Sequence, residues 1–254
     1  MIKDLIETLY FLGLKQDDAV FIHSDMSNFR FFKPNMKTIN EDIFKSILEV
    51  VGKNGAILVP TFTYHNFTKE KIFDNKNTFS ETGIFSEFVR TQKNSLRSNH
   101  PIFSVASHGN KSELFVRNNS LNSTGAGSPF ERLFHFNAKI LHINLELVTR
   151  TTYLHYIEEK NNVPYRYSKY FEYFIIDHND NKKKLFFENF ARKIETLKFP
   201  STSKRIQKML ISNKITKSKK IKKNLMTLTE CQNLFNFVSN KMKKNKFILY
   251  EKSF

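Results

Sequence analysis

The sequence predicts an α/β protein in which helices pack against a mainly parallel or mixed sheet. Short apolar segments typical of buried strands alternate with segments whose apolar residues recur at helical spacing. A length of 254 residues is enough for one large domain with a sizeable core. The hydrophobic content of 40% is typical of a globular protein and not of a disordered one.

The N-terminal part of the chain is predicted to alternate between helix and strand. Apolar residues at helical spacing predict a helix over 2–12, and the run 17–23 predicts a buried strand that ends at His23. A helix over 40–51 and a second buried strand over 56–63 follow. This alternation favours an α/β sandwich.

The middle of the chain begins with a polar stretch, residues 64–82, which predicts an unusually long loop. Loops of this length in compact domains are often functional. The alternation then continues through a helix over 83–92, a strand over 102–109, a helix over 128–136, a strand over 138–145 and a helix over 151–159.

The C-terminal region contains two further local patterns. Two apolar segments, 170–177 and 183–190, flank the polar residues 178–181 and predict a β-hairpin. Thr227 and Glu230 form a capping-box pattern, which predicts that a helix begins there. The apolar stripe of this helix is predicted to be Leu228, Cys231, Leu234, Phe235, Val238 and Met242.

Positive charge is concentrated at the C-terminal end. The chain carries 41 Lys and Arg against 24 Asp and Glu, a formal net charge of +17. Residues 1–180 hold 21 basic and 20 acidic side chains, whereas residues 181–254 hold 20 basic and 4 acidic ones. This polarity predicts a neutral α/β core, residues 1–176, with a basic lobe, residues 177–254, packed on the same domain. A solvated lysine-rich surface explains the lobe as well as a binding role does.

Cysteine content and the N-terminal segment favour a cytoplasmic location. Cys231 is the only cysteine, which rules out an intrachain disulfide and fits a reducing compartment. The first residues include Asp4 and Glu7 and lack the basic region and continuous apolar run of a signal peptide. No run approaches the roughly 20 apolar residues that a membrane span needs. We therefore expect a soluble, cytoplasmic protein.

Standard nucleotide-binding motifs are absent from the sequence, but four other polar segments stand out. There is no Walker loop, GxGxxG, CxxC pair or GxSxG elbow, and no Cys/His cluster at the spacing of a metal site. The four segments are His23–Ser27, Arg97–Ala106, Gly125–Glu131 and Thr151–Glu158. The first two place hydroxyl groups at predicted strand ends, and the third leads into a helix N-terminus where an anion can be held.

The fourth segment predicts a pair of interacting side chains. On a helix, residues three apart share one face with Cβ atoms about 5–6 Å apart, which brings His155 next to Glu158. Glu158 can then hold one ring nitrogen of His155 and fix its tautomer, which leaves the other nitrogen free as a general base. Taken alone, such a pair is more often a contact on a helix surface.

In this order, the four segments resemble the aminoglycoside 3-N-acetyltransferase family, which includes antibiotic-modifying enzymes and enzymes that acylate sugar nucleotides. The resemblance runs from His23 to Tyr167. It is carried by HSDMS (23–27), PTFT (60–63), RSNHPIFSVA (97–106), GSPFERL (127–133) and TTYLHYIEE (151–159). Two places depart from the family pattern: Asp25 stands where a second Ser is common, and Leu145–Val148 replaces a Gly-rich link.

The resemblance implies a three-layer α/β/α sandwich around a mixed central sheet, with a basic C-terminal extension containing a hairpin and helices. It implies direct transfer of an acetyl or similar short acyl group from acetyl-CoA to an amine, without a metal. His155 is then the general base and Glu158 its orienting partner. The implied coenzyme-binding residues are Ser24, Ser27, Thr61, Thr63, Arg97, Ser98 and Ser104. For the developing oxyanion, backbone N–H groups near 61–63 or 24–27 are the candidate donors.

Three functional hypotheses follow. The first is acylation of a nucleotide-linked amino sugar, because a basic lobe repels a polycation and attracts a pyrophosphate. The second is acetylation of an aminoglycoside antibiotic. The third, from a different class, is a nucleic-acid-binding protein that uses its basic lobe, but the sequence lacks a helix-turn-helix, RRM or zinc-finger signature.

Overall fold

A seven-stranded mixed sheet forms the centre of the protein. The computed structural model describes residues 2–31, 35–67, 71–147 and 151–251. In spatial order the strands are β4 (Leu96–Arg97), β5 (Val105–His108), β2 (Ala56–Pro60), β1 (Ala19–Ser24), β6 (Lys139–Ile143), β10 (Asn224–Glu230) and β9 (Thr216–Ile221). β1 runs parallel to β2 and β6, whereas the outer strands are antiparallel to their neighbours.

Helices cover both faces of this sheet. One face packs against α1 (Ile2–Leu12), α2 (Met36–Val51) and α3 (Ile84–Arg90). The other packs against α4 (Ser112–Val116), α5 (Pro129–His135), α6 (Tyr153–Lys160), α7 (Ser203–Ser212) and α8 (Cys231–Lys244). Alternate residues of β1 serve the two layers: Val20 and Ile22 face the first layer, and Phe21 faces the second. The predicted α/β/α sandwich around a mixed sheet is confirmed.

A smaller sheet packs beside the large one. It joins β3 (Ile72–Asp74), β7 (Arg166–Ile176) and β8 (Lys182–Arg192). β7 and β8 pair antiparallel over their whole length and form the predicted hairpin. β3 lies inside the predicted loop 64–82 and adds parallel to β7. The loop prediction missed this strand because Phe73 is its only fully buried side chain, so three residues carry no readable strand period.

The prediction of a capping box at Thr227 and Glu230 is wrong. Both residues lie in β10, and α8 begins after them at Cys231 without a side-chain cap. Tertiary packing decides this segment, because β10 pairs with β6 while Met226 and Leu228 enter the core beside α1 and α2. The remaining apolar stripe of the helix is buried as expected at Leu234, Val238 and Met242.

The C-terminal residues contribute to the large sheet and to one helical layer. β9, β10, α7 and α8 all follow residue 177, and β9 takes the outermost position in the sheet. The division into residues 1–176 and 177–254 stays a prediction, with its boundary next to the turn of the hairpin. Among the described residues, no helix is long and apolar enough to cross a membrane.

Candidate active site

A cavity of about 620 Å³ opens where the central parallel strands end. Its lining includes His23 and Ser24 at the end of β1 and Pro60 at the end of β2. The C-terminal region contributes Arg192 and Tyr250 to the same wall. Ligand sites in open α/β sheets commonly lie beyond the carboxyl ends of the strands, so this is the position where a ligand is expected.

α6 brings His155 from its first turn and Glu158 from its second turn to this cavity. His155 Nδ1 lies 2.7 Å from Glu158 Oε2, which is the contact that the helical spacing predicts. The side chain of His155 is 29% exposed, whereas that of Glu158 is 0% exposed. The pair therefore has one partner open to the cavity and one partner enclosed by protein.

Two residues beyond the helix hold Glu158 in place. The Tyr165 hydroxyl donates to Glu158 Oε1 at 3.0 Å, and Arg166 Nε lies 2.7 Å from Glu158 Oε2. Burial acts to raise the pKa of Glu158, but the charge of Arg166 and the hydrogen bonds from His155 and Tyr165 outweigh it and lower the pKa below its ordinary value. Glu158 is therefore a carboxylate at neutral pH.

The same surroundings set the charge and tautomer of His155. Burial lowers its pKa from 6.5, the Arg166 charge lowers it further, and Glu158 acts in the opposite direction. The ring is therefore neutral at pH 7. With its proton on Nδ1, the ring donates to Glu158, and its other nitrogen, Nε2, keeps a lone pair. Arg166 Nη2 also lies 2.9 Å from Nδ1. Because a guanidinium only donates, its approach to a protonated Nδ1 is a charge contact and not a hydrogen bond.

The predicted coenzyme-binding residues Thr61, Arg97 and Ser104 form a buried network and do not line the cavity. Arg97 Nε donates to the hydroxyls of Thr61 and Ser104 at 3.1 and 3.0 Å. Its Nη1 and Nη2 donate to the carbonyls of Thr78 and Thr61 at 2.5 and 2.7 Å. The guanidinium is therefore satisfied by the protein, and Arg97 is only 4% exposed.

The other predicted coenzyme-binding residues lie in different environments. Ser24 is partly buried and lines the cavity, whereas Ser27 is exposed, and its N–H donates to Asp25 Oδ1 at 2.9 Å. Thr63 is buried and donates to the carbonyl of Pro101. Ser98 is also buried and accepts the N–H of Val105 at 2.9 Å. The structure thus brings Ser24 together with His155 and leaves the others outside the lining.

Sequence reasoning missed the residues that complete the site from a distance. Arg166 lies inside the range His23 to Tyr167 over which the family resemblance runs, so the sequence contained a weak signal for it. Arg192 and Tyr250 lie outside the four polar segments singled out in the sequence. Among the described residues, no group of three or more His, Cys, Asp or Glu side chains is placed to hold a metal ion.

Comparison with known proteins relates both the sequence and the fold to one group. A family model for aminoglycoside 3-N-acetyltransferase matches residues 21–243. The fold is similar to the binary complex of AAC-IIIb with CoASH, with a TM-score of 0.80, 20% identity, and coverage of 100% of this chain and 98% of that one. No curated protein sequence matches the chain.

Two further solved structures share this fold. Aminoglycoside acetyltransferase AAC(3)-Xa has a TM-score of 0.81 and 18% identity, covering 96% of this chain and 92% of that one. AAC-VIa bound to sisomicin has a TM-score of 0.78 and 18% identity, covering 96% of this chain and 97% of that one. At these identities the structures support the fold, and the family model carries the assignment.

Proposed function

Because the chain belongs to the aminoglycoside 3-N-acetyltransferase family and is therefore an acetyl-CoA-dependent N-acyltransferase, we propose that it acetylates the amine of a nucleotide-linked amino sugar. The observation that carries the choice of acceptor is the charge of the cavity. Among the described residues that line it, the carboxylates are Glu81 and Glu158, and both are already engaged by protein groups.

His155 is the proposed general base. A sugar amine is largely an ammonium ion at pH 7 and has no lone pair with which to attack a thioester. The ammonium releases one proton to solvent before the attack. The free Nε2 of a neutral His155 can then take the second proton from this nitrogen as it bonds to the acyl carbon, and Glu158 stabilises the imidazolium that results. General-base catalysis of this kind contributes about 10²–10⁴-fold to the rate.

Acetyl-CoA supplies the acyl group as a thioester. Ser24 is the proposed coenzyme contact at the cavity, and the exposed Ser27 remains a candidate for a contact outside it. For the buried residues we propose an indirect role, in which their hydrogen bonds hold the segments on either side of β5 in position. These residues are Thr61, Thr63, Arg97, Ser98 and Ser104.

The engaged carboxylates argue against a polycationic acceptor. Glu81 accepts the N–H of Tyr64 at 2.9 Å and contacts the ring of His65, and Glu158 is fully buried beside Arg166. A site that binds several ammonium groups needs carboxylates that face the ligand. A nucleotide-linked sugar carries about two negative charges on its pyrophosphate, which the many cations after residue 180 attract.

Acetylation of an aminoglycoside is the second candidate function. It is favoured by the family to which the chain belongs and by the fold shared with AAC-VIa bound to sisomicin. It requires that carboxylates other than Glu81 and Glu158 reach the antibiotic.

A side-by-side acceptor assay tests the proposal. Thiol release from acetyl-CoA is measured with equal concentrations of kanamycin-type aminoglycosides and of amino sugars linked to a nucleoside diphosphate, with His155→Ala as the background. We expect turnover of at least one nucleotide-linked sugar and none of the antibiotics above that background. Efficient turnover of an aminoglycoside, with no nucleotide-linked sugar acetylated, would contradict the proposal.

A further inference from the structure

The cavity contains a second histidine that the mechanism above does not use. His23 is 5% exposed, and its ring lines the cavity together with His155. Its Nε2 is sealed inside the protein without a hydrogen-bond partner among the described residues. Nδ1 is not sealed in this way, so it is the ring nitrogen that remains for a ligand in the cavity.

Neighbouring rings hold His23 in one orientation. It stacks on His142, its partner across β1 and β6, with ring centroids 5.2 Å apart and planes 12° apart. Phe21 meets the same ring edge-on with centroids 4.7 Å apart. Burial lowers the pKa of His23 to about 3 and that of His142 well below 6.5, so both rings are neutral at pH 7.

A hydrogen-bond chain fixes the tautomer of His142 behind this stack. The Thr151 hydroxyl donates its proton to the carbonyl of Leu147, so it can only accept from His142 Nε2, which lies 2.8 Å away. The Nδ1 of His142 then carries a lone pair and has no described partner. Both stacked rings are therefore uncharged, and His23 is the one that lines the cavity.

Four of the backbone N–H groups near 61–63 and 24–27 are already occupied. The N–H groups of Thr61 and Thr63 bond to carbonyls of the 102–104 segment at 2.9 and 3.1 Å. Those of Asp25 and Ser27 are bonded at 2.8 and 2.9 Å. Acyl transfer needs a donor where negative charge develops on the carbonyl oxygen, and these four N–H groups are not available for that role.

We propose that the neutral ring of His23 donates a hydrogen bond from Nδ1 to the carbonyl oxygen of the acyl group during transfer. A proton on the sealed Nε2 would leave a buried N–H without an acceptor, which is costly, so the proton belongs on Nδ1. A neutral imidazole with a depressed pKa can polarise a carbonyl while keeping its proton.

The electron movements of the transfer are consistent with this role. The amine nitrogen forms a bond to the acyl carbon, the π pair of the carbonyl moves to oxygen, and the His23 N–H meets that oxygen. His155 takes the proton from the nitrogen. When the carbonyl re-forms, the carbon–sulfur bond breaks, and sulfur leaves with the electron pair and receives the proton held by His155. His23 ends the cycle as it began.

The carbonyl stretching frequency of a bound ketone analogue tests the proposal without turnover. S-acetonyl-CoA, whose carbonyl is not transferable, is bound to the parent protein and to His23→Phe, which keeps a ring to stack on His142. We expect a lower frequency in the parent than in His23→Phe. His23→Asn can place an amide nitrogen near the position of Nδ1, so it should recover part of this difference. His135→Phe, at an exposed histidine outside the cavity lining, is the control and should leave the frequency at the parent value.

Kinetics give a second readout. His23→Phe should lower kcat by about 10²–10³-fold, as loss of one oxyanion donor does, while the KM for acetyl-CoA stays within about threefold. Equal carbonyl frequencies in the parent and His23→Phe would overturn the inference and assign the donor to backbone groups. A rise in KM with unchanged kcat would also overturn it, because His23 would then only position the coenzyme.

The inference rests on acyl transfer in this cavity and on no particular sugar. A carbonyl shift that depends on His23, together with failure of every nucleotide-linked acceptor, would therefore contradict the proposed acceptor and leave the role of His23 supported. Calorimetric binding of CoA to each variant shows that the cavity is folded.

Discussion

The His155–Glu158 pair and the network around Arg97 both consist of polar side chains. They differ in whether every hydrogen-bonding atom has a partner within the protein. In the Arg97 network the guanidinium donates to protein oxygens through all three nitrogens. In the His155 pair, Glu158 is enclosed, whereas His155 is 29% exposed and has one nitrogen left for a substrate. A polar cluster that satisfies itself stabilises the fold, and one that leaves an atom open to a cavity can perform chemistry.

The largest expected effect comes from substituting His155, the member of the pair that is exposed to the cavity. His155→Ala should lower kcat by at least about 10²-fold and leave the affinity for CoA and the melting temperature nearly unchanged, because the base acts in the transition state. Steady-state kinetics and calorimetric CoA binding check both parts. Turnover within about threefold of the parent would show that the open nitrogen has no catalytic role.

Substituting Arg97, at the centre of its hydrogen-bond network, should lower the stability of the protein and leave its kinetics unchanged. Arg97→Met removes the donor of the Thr78 carbonyl and one of the two donors of the Thr61 carbonyl, which still accepts from the Ser104 hydroxyl at 2.7 Å. Each acceptor left without a partner costs about 1–3 kcal/mol. We expect the free energy of unfolding to fall by about 3 kcal/mol in urea titrations, with the KM for acetyl-CoA unchanged. Arg117→Met, at a partly exposed arginine, is the control and should change neither quantity. A large rise in KM with unchanged stability would restore Arg97 as a direct coenzyme contact.

Substituting Glu158 should lower kcat less than substituting His155. In Glu158→Gln the helix still holds His155 in place, so we expect kcat to fall by about tenfold. The carboxylate raises the pKa of His155, so its removal should move the acidic limb of the pH profile to lower pH. The pH dependence of kcat measures this shift. A greater loss than in His155→Ala would mean that the two roles are exchanged.

The smallest effect is expected from His100, a buried histidine whose two ring nitrogens both contact protein groups. His100 Nδ1 accepts the N–H of Phe103 at 2.9 Å, and its Nε2 contacts the carbonyl of Glu188 at 3.1 Å. Burial lowers the pKa of His100 to about 4, below the 6.5 of an unfolded chain, so only the unfolded state binds a proton between these values.

Stability should therefore fall as the pH drops through 6.5 toward 4. For His100 alone the loss at pH 6 is about 0.8 kcal/mol relative to pH 7.5. Urea titrations at the two pH values, with parent protein and His100→Gln, measure it. The dependence should be smaller in the variant, and an unchanged dependence would assign it to other groups.

Features that depend on residues close together in the sequence could be predicted, whereas features that depend on contacts between distant segments could not. The contact between His155 and Glu158 depends on one turn of helix, so spacing alone was enough. Arg166 reaches the same carboxylate from β7, and helical periodicity carries no information about that strand's position. Thr227 and Glu230 show the reverse case, in which a valid local pattern was overridden by pairing with β6.

The network around Arg97 could not be recognised as closed from sequence. Its partners lie 36 residues away at Thr61 and 7 residues away at Ser104, and the motif letters are the same whether these groups face a ligand or one another. Burial alone separates the two cases. The order of the motifs therefore predicted the fold and singled out His155, the proposed base, but it did not identify the lining of the cavity.

β9 is the outermost strand of the large sheet, and this position offers an explanation for part of the C-terminal positive charge that involves no ligand. An edge strand exposes backbone donors and acceptors that invite pairing with another chain, and charged side chains, lysine above all, discourage this association. β9 carries Lys217, Lys219 and Lys220 within its six residues. By this argument the lysines of β9 disfavour pairing of its edge with another chain, which accounts for part of the basic composition without a ligand.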